Sequence, residues 1–481
     1  MSRPQISVVV PTRERADTLR YCLRTCIAQD FDNYEVLVCD NHSSPATRQV
    51  VDELAHPRLR YIRADRPLGM GANWELAASH AEGEYITFLG DDDALFPFSL
   101  RELDATLRRL NTRVLRWQRA HYTWPNIAVK SDANILRVPL ARSLKTWDSR
   151  DCIQKTVNFE IGADELPMIY TAAVHRSVLE ELRARTGKIF LNLWPDVYSG
   201  FAIAHIVGTF HSSTLPFSMA GLSGHSTGVA TLATDATNSI AKEFFRLTRK
   251  DGIPPHRLVP DVSVWPVTTA DSFCFAKDAL FPQDDGLQLD RKLLTVKTLE
   301  AVITRDPAAR ARIRSVVRES LTDDPALLAW FDREAPNPPP AELRVFGEIQ
   351  PGYANDILVL QADRFGIQDV AHAAEVATDV LGLRHRSAQF DLESYPEMLA
   401  KIQQAAQDRD EALLERDEMR EWFELAEQRC AAAQNERDAF KWKYLDALRD
   451  GALRNAPRRF VKVLRARIQG LVQKALPSAH K

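Results

Sequence analysis

Residues 5–44, QISVVVPTRERADTLRYCLRTCIAQDFDNYEVLVCDNHSS, with residues 59–69, LRYIRADRPLG, and 83–95, GEYITFLGDDDAL, decide the fold. Ile6–Val10 is a short β-branched run, read as a buried strand. Glu35–Cys39, Leu59–Ile62 and Tyr85–Leu89 read as three more. Between the first two, Leu19, Cys22, Leu23, Cys26 and Ile27 keep helical spacing, with the cysteines as small core residues. Helices are also predicted over Thr47–Leu54 and Ala72–Ser79. Strand and helix alternating through short links predict a mostly parallel sheet with right-handed crossovers.

In such a sheet ligands bind beyond the carboxyl ends of the strands. Those ends carry Pro11-Thr12-Arg13-Glu14, Asp40-Asn41-His42-Ser43-Ser44, Asp65-Arg66-Pro67-Leu68-Gly69 and Gly90-Asp91-Asp92-Asp93. Every one is polar, charged or small. Three adjacent carboxylates raise one another's pKa unless a cation lies between them. Their oxygens suit magnesium or manganese, which would in turn hold a diphosphate. Ser99 and Glu102 have capping-box spacing, which leaves the three acids spare for an ion. No GxGxxG follows the first strand and no GxxxxGK[ST] occurs, so dinucleotide and P-loop readings lose their usual support.

The 481 residues carry 62 basic and 65 acidic side chains, and 45% are hydrophobic. That composition supports a real core and excludes a disordered chain. The near balance argues against nucleic acid as a partner. No apolar run reaches the length of a membrane span. The N-terminus is too short in apolar residues for a signal peptide. Six cysteines without a CxxC pair point to a reducing, cytoplasmic setting.

Four regions are expected: 1–235 as the α/β domain, 236–395 as a mainly helical domain, 396–450 as a coiled coil and 451–481 as a basic tail. From Met398 to Ala447 a 3.5-residue repeat runs through Ile402, Phe423 and Tyr444, with arginine at three seam positions. It predicts a homo-oligomer or a partner helix. The tail has eight basic residues and no acid, and without it residues 1–450 carry −11. Phe460, Leu464, Ile468, Leu471 and Val472 recur among those charges, as in a helix lying on an anionic inner-membrane surface.

With those residues in view, the stretch 5–95 is similar to the start of a family 2 glycosyltransferase of GT-A type. The likeness continues more weakly to about residue 230. The resemblance implies an inverting, metal-dependent transfer from a nucleotide-sugar donor. It implies a glycan or lipid-linked glycan acceptor in cell-surface polysaccharide synthesis. It puts Pro11, Thr12, Arg13 and Glu14 on the base or ribose, with Asp40 reading the base and Asn41 beside it. Arg66 and Asn73 become donor contacts, although Pro67 stands where the family usually has asparagine. Asp91 and Asp93 become metal ligands, Asp92 a donor contact, and His225 a third ligand or a pyrophosphate contact. The acceptor's base is expected about a hundred residues beyond the acids. Asp196, after Pro195 and near Trp194 and Tyr198, is the choice, and Asp164 and Glu165 are the alternatives. Trp117, Trp124 and Trp147 are read as core rather than acceptor site. A non-catalytic sugar-nucleotide-binding or coiled-coil scaffold is the competing reading. A sugar nucleotidyltransferase ranks last, because its Gly-rich loop is missing.

Overall fold

A computed structural model describes residues 3–127, 129–228, 230–231, 239–337 and 351–382. The first hundred residues run β1 (Ile6–Thr12), α1 (Ala16–Ile27), β2 (Tyr34–Asp40), α2 (Pro45–Leu54), β3 (Leu59–Arg63), α3 (Met70–His80) and β4 (Tyr85–Phe88). This is the predicted alternation. All of β2 and all of β1 except Pro11 are buried, as expected of strands covered on both faces.

The chain continues through β5 (Ala94–Leu95), α4 (Ser99–Leu110), β6 (Val114–Trp117), β7 (Ala120–Thr123), β8 (Ile135–Pro139), β9 (Leu144–Asp148) and α5 (Ser149–Val157). Then come β10 (Ala172–His175), α6 (Arg176–Thr186), α7 (Pro195–Val207), β11 (Thr209–Ser213) and β12 (Ser218–Leu222). Helices α8 (Ser239–Lys250), α9 (Trp265–Leu280), α10 (Arg291–Ala301), α11 (Pro307–Glu319) and α12 (Pro325–Glu334) follow. The described chain ends with β13 (Gly352–Ala354), β14 (Ile357–Gln361) and α13 (Val370–Leu381).

Among the described residues the large sheet has the order β3-β2-β1-β4-β10-β6-β11-β9. Its β3-β2-β1-β4 half is parallel, and β10 enters antiparallel to both β4 and β6. A second sheet has the order β13-β14-β8-β7-β12-β5. Trp117, Trp124 and Trp147 are all buried.

Helix α7 is apolar nearly all round, and nine of its thirteen residues are buried. Such a helix belongs in a core. It packs on α9, where Phe201 meets Phe273 with ring centroids 5.6 Å apart. The helical reading after residue 236 matches α8–α12. Residues 352–361 depart from it: β14 pairs antiparallel with β8, from Ile357 opposite Pro139 to Gln361 opposite Ile135. Its alternating half-burial is that of a strand with one covered face.

Contacts within the chain gather Met1–Ala377 into one compact unit. The expected coiled coil and basic tail lie outside the described residues. No helix among the described residues is long and apolar enough to cross a membrane.

Candidate functional site

Parallel register brings the strand ends into one layer. Thr12 at the end of β1 lies opposite Asp40 at the end of β2, and Val9 lies opposite Phe88 of β4. The Asn41 N–H donates to the Thr12 carbonyl at 2.9 Å and so ties the two exits together. Beyond them opens a cavity of about 400 Å³, within the range of small-molecule sites. Of the site residues expected from the sequence, Pro11, Thr12, Arg13, Glu14, Asn41, Asn73, Asp91 and His225 line it. Asp40, Arg66, Asp92, Asp93 and Asp196 do not.

The loop after β1 is shaped by hydrogen bonds. Glu14 has φ +53°, and its carboxylate accepts from the N–H and hydroxyl of Ser44 at 2.9 and 2.8 Å. Arg13 donates to the Asn41 carbonyl at 2.6 Å and pairs with Glu243 of α8 at 2.9 Å. Asn41 grips the Leu68 backbone with both ends of its amide, at 2.8 Å each. Thr12 is buried, yet its hydroxyl has no hydrogen-bond partner among the described residues. Buried hydroxyls are normally satisfied, so this one is free for a ligand group in the cavity.

Asp40 sits differently. Its side chain is fully buried, accepting from the Ser43 N–H at 2.8 Å and the Tyr61 hydroxyl at 2.5 Å, with Arg63 at 3.4 Å. In this arrangement it holds the turn at 40–43 rather than facing the cavity. Arg66 is exposed on its loop, outside the cavity lining.

The three adjacent acids part ways. Asp91 faces the cavity and pairs with Arg15 at 2.9 Å. Asp92 turns to Ser223, whose hydroxyl donates to it at 2.7 Å. Asp93 turns into the sheets, where it accepts from Gly221 N–H at 2.7 Å, Gly90 N–H at 3.2 Å and the Tyr170 hydroxyl at 2.5 Å. Arg119 stands 3.9 Å from the same carboxylate. Burial, then the charge of Asp93, pushes the Asp92 carboxyl up from its ordinary range. The acids are therefore not all spare. The capping box that would have freed them does not form: the Ser99 hydroxyl accepts from Phe96 N–H and donates to the Phe217 carbonyl, at 3.0 and 2.5 Å.

A divalent cation has a limited place here. Among the described residues no three His, Cys, Asp or Glu side chains converge as ligands. Asp91 offers one carboxylate, with one oxygen on Arg15. That donor set fits a hard cation held by one carboxylate, substrate oxygens and water, the usual style of magnesium, and not an all-protein cage. His225 lines the cavity, but its Nε2 stands 3.5 Å from Asp17.

Asp196 lies in the first turn of α7. Burial lifts its carboxyl above the ordinary range, against the pull of backbone N–H groups and of Arg119. Arg119 thus acts on both Asp93 and Asp196, and its guanidinium lies 4.6 Å from the Tyr170 ring. Of the alternative bases, Glu165 is paired with Arg116 at 3.3 Å, and Asp164 gives its carbonyl to the same guanidinium.

Sequence reasoning missed Arg15, Tyr170, Arg119 and the α8 wall. Arg15 donates to Thr227 at 2.7 Å and to the His225 carbonyl, so it joins the 225–227 loop to Asp91. A cation at the start of α1 opposes the helix dipole, and that was its signal: it needs an acid facing it. Ile240, Glu243, Phe244 and Leu247 of α8 close the cavity from outside the sheet. Nothing at the strand ends announces them.

Gly221 is required by close approach. A Cβ there would lie 1.7 Å from the Asp92 carbonyl oxygen. Gly221→Ala is expected to destabilise the domain by about 2 kcal/mol or more, and the midpoint of a urea unfolding curve checks it.

A mixed α/β sheet, with a nucleotide-sized cavity at its parallel strand ends and carboxylates around it, defines a glycosyltransferase fold of GT-A type. Residues 7–163 match the model of Glycosyl transferase family 2. The Campylobacter jejuni GalNAc(5)-diNAcBac-PP-undecaprenol beta-1,3-glucosyltransferase is 35% identical over 103 residues, 21% of this chain and 33% of the relative. An Escherichia coli UDP-Glc:alpha-D-GlcNAc-diphosphoundecaprenol beta-1,3-glucosyltransferase is 30% identical over 88 residues, 18% of this chain and 35% of the relative. The chain thus spans about a third of the length of these curated relatives. Among solved structures, S. aureus TarS 1-349 in complex with UDP-GlcNAc aligns over 68% of this chain and 90% of that one, at 14% identity and a TM-score of 0.38.

Proposed function

We propose that this protein moves a sugar from a nucleoside-diphosphate sugar to a hydroxyl of a glycan or lipid-linked glycan, with inversion, in cell-surface polysaccharide synthesis. The observation that carries the reading is the cavity at the ends of β1, β2 and β4, with Thr12 unsatisfied on its wall and Asp91 at its edge. The relatives named above, acting on undecaprenol-linked glycans, favour the acceptor class.

In this reading the nucleoside lies along Pro11–Glu14 and Asn41, under α8. The diphosphate points to Asp91 and Arg15. Asp91 is the residue that would hold a divalent cation, which when bound neutralises the diphosphate oxygens and eases departure of the leaving group. Arg15 adds positive charge on the same side. Asp196 takes the proton of the acceptor hydroxyl. The acceptor oxygen then bonds to the anomeric carbon as the bond to the diphosphate breaks on the opposite face. A single displacement of this kind inverts the anomeric centre. Tyr170 and Arg119 hold Asp93 and fix the turn that carries Asp91.

Thermal unfolding with nucleoside diphosphates and sugar nucleotides, with and without manganese, tests the donor site. A ligand at a hundred times its Kd stabilises the folded state by about 2.7 kcal/mol. A manganese-dependent rise with one nucleotide is expected. No rise with any nucleotide, on folded protein, would sink the reading in favour of a scaffold.

A further inference from the structure

A buried polar chain runs from α9 to the start of α7. Asp271 and Ser272 of α9 and Asn192 before α7 are at most 2% exposed. Asn192 Nδ2 donates to Asp271 Oδ2 at 3.1 Å and to Ser272 Oγ at 2.9 Å. Its Oδ1 accepts from the Trp194 N–H at 3.1 Å. The second oxygen of Asp271 accepts from His256 N–H at 2.7 Å.

The polarity of this chain is not arbitrary. Burial pushes the Asp271 carboxyl up to about 6, so at neutral pH it is still an anion, and an anion only accepts. The amide of Asn192 must therefore turn its Nδ2 to Asp271. That leaves Oδ1 for Trp194, whose N–H only donates. Trp194 is the residue on which α7 starts, and Asp196 is two residues further on.

Other contacts converge on this turn. Glu75 of α3 accepts from the N–H groups of Ile189 and Phe190, at 2.8 and 3.3 Å. A Cβ added at Gly71, in the first turn of α3, would lie 3.1 Å from the Asn192 carbonyl oxygen. The Trp194 ring stacks on Phe244 of the α8 wall, with centroids 5.3 Å apart. The turn that carries Asp196 is thus held from α3, α8 and α9 together. The family model ends at residue 163, before Asn192, α7, α8 and α9.

We propose that Asp271 is a positioning residue for the transfer reaction: through Asn192 it fixes the turn that aims Asp196 at the acceptor. The proposal rests on Asp196 being the base. It also gives the helices after residue 239 a task, that of buttressing the site from behind. Polar side chains inside α9 are there to orient an amide.

The test uses the full chain with four variants: Asn192→Ala, Asp271→Ala, the double N192A/D271A, and the transposed pair N192D/D271N. The transposition keeps the logic, since Asp at 192 accepts from Trp194 and Asn at 271 donates to it. UDP release from UDP-glucose with a polyprenyl-diphosphate GlcNAc acceptor gives kcat and donor KM. Amide hydrogen exchange over 192–197 reads the turn without any substrate. Each alanine variant is expected to lower kcat about tenfold to a hundredfold, the cost of small misplacement of a reacting group. Donor KM should stay within twofold. Exchange at the turn should rise in both single variants, and the double variant should be no worse than either. The transposed pair should recover most of kcat and of the protection.

Folded alanine variants with unchanged exchange and kcat within twofold of the parent would overturn the proposal. So would additive losses, or a folded transposed pair as impaired as the single variants. If alanine at 271 prevents folding, Asn192→Ala and the transposed pair still decide. Asp196→Asn separates the two readings. Full activity in that variant sinks the base itself, whereas its inactivity beside fully active 192 and 271 variants sinks only the role of Asp271.

Discussion

Asp196→Asn is expected to lower the rate of sugar transfer about 10²–10⁴-fold, the usual worth of a positioned general base. Nucleotide affinity should not change, because Asp196 does not line the donor cavity. The pH profile supplies a second readout. The base works as a carboxylate, and burial raises its pKa above the ordinary range. The rate of the parent protein should therefore fall as pH drops through that raised value, and the limb should vanish from the residual rate of the variant. Stability moves the other way. An acid whose pKa is raised on folding binds more protons in the native state, between the unfolded and folded values, so it costs stability as pH rises through that window. Asp196→Asn should then be as stable as the parent at neutral pH, or more so. Thermal unfolding thus tells lost chemistry from lost fold, and a variant that keeps its transfer rate would remove Asp196 from the mechanism.

Asp91→Ala and Asp93→Ala should fail in different ways, although the two residues are two positions apart. Asp91 has its carboxylate at the cavity with Arg15 as its partner. Its loss should weaken nucleoside diphosphate binding in manganese at least tenfold and abolish the dependence on manganese. The fold should persist. Asp93 accepts two backbone N–H bonds and the Tyr170 hydroxyl in a buried setting. Its loss leaves those donors unsatisfied, at about 1–3 kcal/mol for each buried group, so the fold should weaken first. Isothermal titration with UDP and manganese, beside urea unfolding of each variant, separates the two. Equal loss of binding by Asp91→Ala and Asp93→Ala, with both folds intact, would instead make the acids a joint metal site.

The contrast between those acids shows how far local reasoning reached. The run Gly90-Asp91-Asp92-Asp93 placed three carboxylates at a strand end, and that position is correct. Which of them faces the cavity depends on Gly221 and Tyr170, more than seventy residues away in sequence, and on whether their donors point at 93 or 91. No periodicity carries that. Likewise Thr12, Arg13 and Asn41 were legible as a cluster, because parallel strands in register deliver their ends together. Asp40 was legible as polar and near, but Tyr61 and Arg63 on the neighbouring strand take up its oxygens. Arg15, one residue beyond the loop, needed only the observation that a guanidinium at a helix start wants an acid.

The sequence by itself determined the parallel half-sheet, the strand ends that form the cavity floor and the stretch that matches the family model. Each follows from local rules: apolar period, strand–helix alternation and the collection of loops at one edge. Only the tertiary structure decided what encloses and aims the site. Helix α8 as the cavity wall, α9 as the support behind Asn192, and the return of β14 to the second sheet all join segments far apart in the chain. Their sequences read as ordinary amphipathic or buried elements. Which surface such an element covers is set by packing across the whole core, and short-range pattern does not encode it.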